Sequence, residues 1–203
     1  MAAIPVTAAM VTAALEATAA KVRPKDADPF RKGDAVVYPT HGVGRVDSVG
    51  VEDIAGHQLH LIHISFDDNQ MTLRVPVARA RASGLRKLVS PEAMTEALAT
   101  LKLNPRVSRL MWAKRSQEYM MKINTGDPVL LSQVVRDLYS SGDGAGSSFS
   151  QRNLFELALE RLSAEYAAVY HTTKPEAIEQ INQTLRDARG DNQTERRAAA
   201  ASA

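Results

Sequence analysis

RKGDAVVYPTHGVGRV, residues 31–46, sets the character of the first half of the chain. Gly33-Asp34 is a turn signal, and Ala35 to Tyr38 is a short β run closed by Pro39. His41-Gly42-Val43-Gly44 reads as a second tight turn, with Gly44 at a close backbone approach or a positive φ. Arg45 to Glu52 then sets Val46, Val49 and Val51 among polar residues. Gly50 interrupts the run, which suggests a bent strand. Ala55-Gly56-His57 turns the chain into a strand from His57 to Phe66. Asp67-Asp68-Asn69 forms a hairpin tip, and a further strand runs from Met71 to Val77 and is ended by Pro76. Short strands with Gly, Asp and Asn turns imply a small antiparallel barrel or curled sheet.

From Ser90 the period becomes helical. Ser90-Pro91-Glu92 places an N-cap before a proline at the first helical position, and Met94, Leu98 and Leu101 follow on one face. Asp127 caps a helix with Leu131, Val134, Val135 and Leu138 as its inward stripe. After the loop SSGDGAGSSFS, a longer helix over Gln151 to Tyr170 turns Leu154, Leu157, Ala158, Leu162 and Tyr166 inward. Thr173 to Glu176 is a capping box opening a last helix that bears Ile178, Ile181 and Leu185. The expected fold is α+β, a small antiparallel barrel followed by a compact five-helix bundle. Its parts are a flexible Ala-rich extension over 1–29, the barrel over 30–88, the bundle over 90–189 and a disordered tail over 190–203.

Composition narrows the functions. The absence of cysteine excludes disulfides and thiolate zinc sites and agrees with a reducing cytoplasm. In the strand, His60 falls on the opposite face from His57 and His63, which argues against a metal site. No phosphate loop, nucleophile–base pair or paired acids appear, so neither an enzyme nor a cofactor is expected. The first twenty residues lack the leading basic charges of a secretory signal and are too polar to span a membrane.

A net charge of +2 over 203 residues is too small for a general nucleic-acid coat. The charge is concentrated, however. Between Lys102 and Lys122 six bases (Lys102, Arg106, Arg109, Lys114, Arg115, Lys122) oppose one acid, Glu118, a local +5 that leaves −3 elsewhere. The same stretch holds the one tryptophan, Trp112. Read as a helix entered after Pro105, it sets Arg109 and Arg115 three residues either side of Trp112, a face suited to phosphates and unstacked bases. The competing reading packs Trp112 into a core with Val107, Leu110, Met111, Met120 and Met121.

RKGDAVVYPTHGVGRV, the strand ending in LRVPV, the W-A-K-R segment and TGDPVLLSQVVRDLY occur in one order over about 30–189, and with them the chain resembles the CarD/CdnL family of bacterial transcription regulators. The resemblance implies a Tudor-like barrel that docks on the β subunit of bacterial RNA polymerase, partly by edge-strand pairing. The docking edge would involve Val51, Glu52, Arg74, Val75 and Pro76. Arg74 matches a basic contact residue of the family, whereas Glu52 stands where other members can carry a base. The resemblance further implies a bundle that presents Trp112 to promoter DNA at the upstream edge of the transcription bubble, with Lys114 and Arg115 on phosphates. Arg109 joins that set by helix spacing alone. The expected protein is a monomeric, cytoplasmic, non-enzymatic regulator that stabilises the open complex. The alternative is a protein-interaction adaptor, with a strand-capturing barrel and a bundle that never touches DNA.

Overall fold

The computed structural model describes residues 30–66, 70–106, 110–142 and 148–201, without side chains at 140–142 and beyond Gly190. The extension over 1–29, the expected hairpin tip Asp67–Asn69, Arg109 and the middle of the SSGDGAGSSFS loop lie outside these residues. Five strands make one antiparallel sheet: β1 (Ala35–Tyr38), β2 (Gly42–Ile54), β3 (His57–Phe66), β4 (Met71–Pro76) and β5 (Arg86–Lys87), in the order β4-β3-β2-β1-β5. Period-two alternation directs Val46, Ile62, Ile64, Phe66 and Val75 into a core with Phe30, Val36 and Leu85. Gly44 lies where a Cβ would come within 2.7 Å of Ile64 and 2.8 Å of the Ser65 carbonyl, so the close approach read from the sequence is real. The bend of β2 is elsewhere than expected. Gly50 pairs regularly with Leu61, and the register shifts between Val46 and Ser48. There the Ser65 hydroxyl donates to the Asp47 carboxylate at 2.9 Å, holding the extra residue of a bulge.

Helix α1 (Val77–Ala80) is one turn after β4, and the bundle follows as α2 (Pro91–Leu101), α3 (Trp112–Thr125), α4 (Pro128–Gly142), α5 (Phe149–Tyr170) and α6 (Lys174–Ala201). Its core is aliphatic: Met94, Leu101, Ile123, Leu131, Val134, Val135, Leu138, Leu154, Ala158, Leu162, Ile181 and Leu185 are buried together. The caps form as their local chemistry dictates. Ser90 accepts from the Ala93 N–H, and Asp127 accepts from Val129 and Leu130. Ser148 and Gln151 make a reciprocal box at α5, and Thr173 and Glu176 do the same at α6. Helix α6 runs to Ala201, past Gly190, where the chain was expected to lose order. The sequence after Gly190 carries Glu195, Arg196, Arg197 and a run of Ala, which have enough helix propensity to continue through one glycine. Among the described residues, no helix is long and apolar enough to cross a membrane.

Barrel and bundle are joined by buried polar contacts. Glu165 of α5, 1% exposed, takes both guanidinium nitrogens of Arg86 from β5 at 2.5 and 2.8 Å, and also accepts from the Val89 N–H. Arg86 donates as well to the Gly126 carbonyl between α3 and α4. Arg161, one turn before Glu165, donates to the Pro39 and Thr40 carbonyls of the barrel and to that of Ile123. Pro39 itself lies against Gly126, whose φ of 66° suits glycine, and a Cβ there would sit 3.3 Å from the Pro39 Cα.

Two outcomes follow. Arg86→Ala strands a buried carboxylate and should cost about 3–5 kcal/mol in denaturant unfolding. Glu165→Ala leaves a guanidinium that already reaches solvent and should cost clearly less; equal losses would show that the pairing is not what matters. At α6, hydrogen bonds from the Thr172 hydroxyl and then from Thr173 hold the Glu176 carboxyl at about 2, below its usual value of 4.5. A lowered carboxyl stabilises above its ordinary pKa and loses that contribution as pH falls from about 4.5 through about 2. Glu176→Gln should therefore flatten this acid limb of helix loss measured by far-UV circular dichroism.

Candidate polymerase and nucleic-acid interfaces

Among the described residues, the stretches expected to dock lie on open edges of the sheet. β4 is terminal in the strand order, so one side of its backbone is unpaired with any strand. β1 pairs with β2 only as far as Arg45, so among the described residues no strand lies along the outer side of β2 from Asp47 to Ile54. Val51, 63% exposed, lies on this second edge. Glu52 and Arg74 come together although they sit on strands separated by β3. The Glu52 carboxylate contacts His63 Nε2 at 2.9 Å and the Arg74 guanidinium at 3.8 Å, and His63 stands opposite Arg74 in the β3–β4 register. Arg74 stays largely in solvent, at 62% side-chain exposure. The Glu52 carboxylate of β2 is thus met within the chain, across β3, by Arg74 of the β4 edge. Val75 differs from the others: its side chain is buried in the barrel core, so only its main chain faces the edge.

The second surface forms where α3 begins. The helix does not start after Pro105. Residues 104–106 are irregular, and α3 opens at Trp112 with Met111 in an extended conformation before it. The Arg106 N–H is bound to the Asp137 carboxylate of α4 at 3.0 Å instead of serving a new helix. Arg109, grouped with Trp112 by helical spacing, lies outside the described residues. Trp112 is half-buried. It packs against the bundle core and lies 6.5 Å, ring to ring, from Tyr119. Its indole N–H donates to the Ser150 hydroxyl of α5 at 3.1 Å, and the Arg115 guanidinium lies over its ring at 5.4 Å. Lys114, in the same first turn, is exposed.

Of the apolar residues expected to share a core with Trp112, Val107 lies outside the described residues and the other four do not enter it. Leu110, Met111, Met120 and Met121 are exposed, and the inward face of α3 is Tyr119 and Ile123. Burial raises the Tyr119 hydroxyl pKa, and the Asp137 carboxylate adds to the effect. The basic run divides in two. Arg106 and Lys122 line a cleft of about 280 Å³ with Glu118, Arg136 and Asp137, while Lys114 and Arg115 remain with Trp112. Ser150, Phe149 and the Arg86–Glu165 pair escaped sequence reasoning. Glu165 left one signal, an acid on the inward side of a helix beside Leu162 and Tyr166.

The comparisons with known proteins cover both surfaces. A family model described as "CarD-like/TRCF RID domain" matches residues 30–89, and one described as "CarD, C-terminal domain" matches residues 96–182. The chain is 23% identical over 145 residues to the "Putative transcription factor YdeB" of Bacillus subtilis (strain 168), covering 71% of this chain and 95% of that protein. It is 31% identical to the 72-residue N-terminal domain of Myxococcus xanthus CarD, solved by solution NMR, covering 34% of this chain and 93% of that one with a TM-score of 0.25. Two CarD models matched in order, one to the barrel and one to the bundle, place this chain in the CarD/CdnL family of transcription regulators.

Proposed function

We propose that the barrel docks on the β subunit of RNA polymerase and that the start of α3 meets promoter DNA at the upstream fork of the transcription bubble, stabilising the open complex. The observation that carries this reading is the setting of Trp112. It stands at the first residue of a helix, half out of the core, with the Arg115 guanidinium over its ring and an exposed Lys114 in the same turn. An indole so placed offers a surface to an unstacked base while Lys114 and Arg115 approach phosphates. Phosphate contacts of this kind position the protein without reading sequence, and they weaken as salt rises. Docking through the open edges of β4 and β2 offsets that weakness. Main-chain pairing supplies the attachment, Arg74 a charged contact, and the tether raises the concentration of the bundle at the fork. The chain acts in this reading as a cytoplasmic, non-enzymatic monomer. One observation favours the adaptor alternative: Trp112 already has a protein partner for its N–H and packs on the core, as a purely structural tryptophan would.

Open-complex lifetime on a linear promoter fragment, with polymerase from the same source, separates the two. The wild-type chain should lengthen it. Trp112→Ala should remove roughly tenfold of that gain, since a base–aromatic contact is worth about 1–3 kcal/mol. An unchanged lifetime despite polymerase binding would favour the adaptor. Arg74→Glu should instead weaken polymerase binding, because it brings a second carboxylate towards Glu52 and inverts the charge of the edge. Its lifetime effect should return at higher protein concentration, whereas that of Trp112→Ala should not.

A further inference from the structure

The surface around Trp112 contains an aromatic side chain that packing does not explain. Phe149, the first residue of α5, is 77% exposed, and it belongs to neither core. Its backbone is nevertheless well held. Ser148 and Gln151 close the capping box on one side, and on the other Ser150 accepts the Trp112 N–H, with the Ser148 and Ser150 hydroxyls 3.1 Å apart. The start of α5 is thus tied to the start of α3, and Phe149 is the outward residue between two serines engaged in that tie. On the α3 side the neighbour of Trp112 is Met111, 75% exposed, preceded by exposed Leu110. Two helices therefore bring their first residues together and leave a phenyl and a thioether in water beside a half-buried indole.

The first turns of the two helices at this patch carry only positive charge. Neither α3 nor α5 carries an acid in its first turn. Lys114 and Arg152 are exposed, and each aromatic has an arginine three residues on, Trp112 with Arg115 and Phe149 with Arg152, which places the pair on one helix face. An apolar centre flanked by basic first turns matches a strand of nucleic acid whose bases have left the stack, since it meets bases at the middle and phosphates at the flanks. A protein partner of such a patch would need an acidic rim of its own.

We infer that Phe149 is a second DNA-contacting aromatic, which meets the same upstream fork as Trp112 so that the apolar edge is built from two helices. The inference rests on the reading of Trp112 given above and adds to it a residue from α5. Met111 extends the same edge, and Ser150 is a positioning residue that keeps the two aromatics in register.

The test uses the full chain with its polymerase on a linear promoter carrying 2-aminopurine at the upstream fork. Because Phe149 is exposed, Phe149→Ala should unfold at the wild-type denaturant midpoint and bind polymerase as tightly. It should shorten open-complex lifetime roughly tenfold, the size expected for one lost base–aromatic contact, and should change the 2-aminopurine signal. Phe149→Trp should retain both effects. Replacing Phe149 with p-benzoylphenylalanine should give a photocrosslink to promoter DNA. If Phe149→Ala behaves as wild type while Trp112→Ala shortens the lifetime, Trp112 acts alone; the inference fails and the proposed function stands. A crosslink to a polymerase subunit in place of DNA makes the patch a protein contact and overturns the inference. If the wild-type chain itself leaves the lifetime unchanged, both readings fall together.

Discussion

One buried carboxylate holds the molecule's two halves in a fixed relation. Glu165 is almost wholly out of water, and an isolated carboxylate in that position would be strongly unfavourable. It is tolerated because Arg86 supplies two parallel donors from the barrel and Val89 a third. Arg86 in turn reaches the turn between α3 and α4, and Arg161 ties the Pro39–Thr40 loop to the end of α3. Hydrogen-bonded pairs of this kind contribute little to net stability compared with apolar packing, but they are geometrically demanding. They suit a joint whose value lies in angle and distance.

That joint gives the two surfaces a common frame. The open edges of β4 and β2 belong to the barrel, whereas Trp112 and Phe149 begin helices of the bundle. A flexible linker would let each find its target separately, at the cost of a lower effective concentration. A linker that enters the sheet as β5 and is pinned to α5 removes most of that freedom. The segment between the domains is thus itself a structural element, and its arginine is the part of the chain that both domains contact.

Trp112 shows why the choice between core and surface was too simple. The indole packs on the bundle along one edge, donates its N–H to a neighbouring helix and lies under a guanidinium. An amphipathic ring accommodates all of these together, apolar on its body and polar at one point. The same restraint reduces the rotamer freedom that an exposed tryptophan would otherwise lose on meeting a ligand.

Much of the fold was legible because it depends on near neighbours. Turn signals bound the β run of β1, alternation marks β3, and the capping residues Ser90, Asp127 and Thr173 bond to N–H groups two or three positions away. Each needs only its own stretch of chain. The family was legible for a related reason: several motifs in one order survive without any knowledge of how they meet. The start of α3 was not, because Arg106 gives its N–H to a carboxylate 31 positions away, which no local pattern announces. Nor were Ser150 and Trp112, 38 positions apart, or Arg86 and Glu165, 79 apart. The sequence by itself thus determined most of the strands, though not β5 or the start of β2 at Gly42, together with the caps and the order of the domains, which rest on short-range periodicity and hydrogen bonding. Only the tertiary structure decided which face Trp112 shows and what stands beside it, since those follow from packing between helices that are distant in the chain.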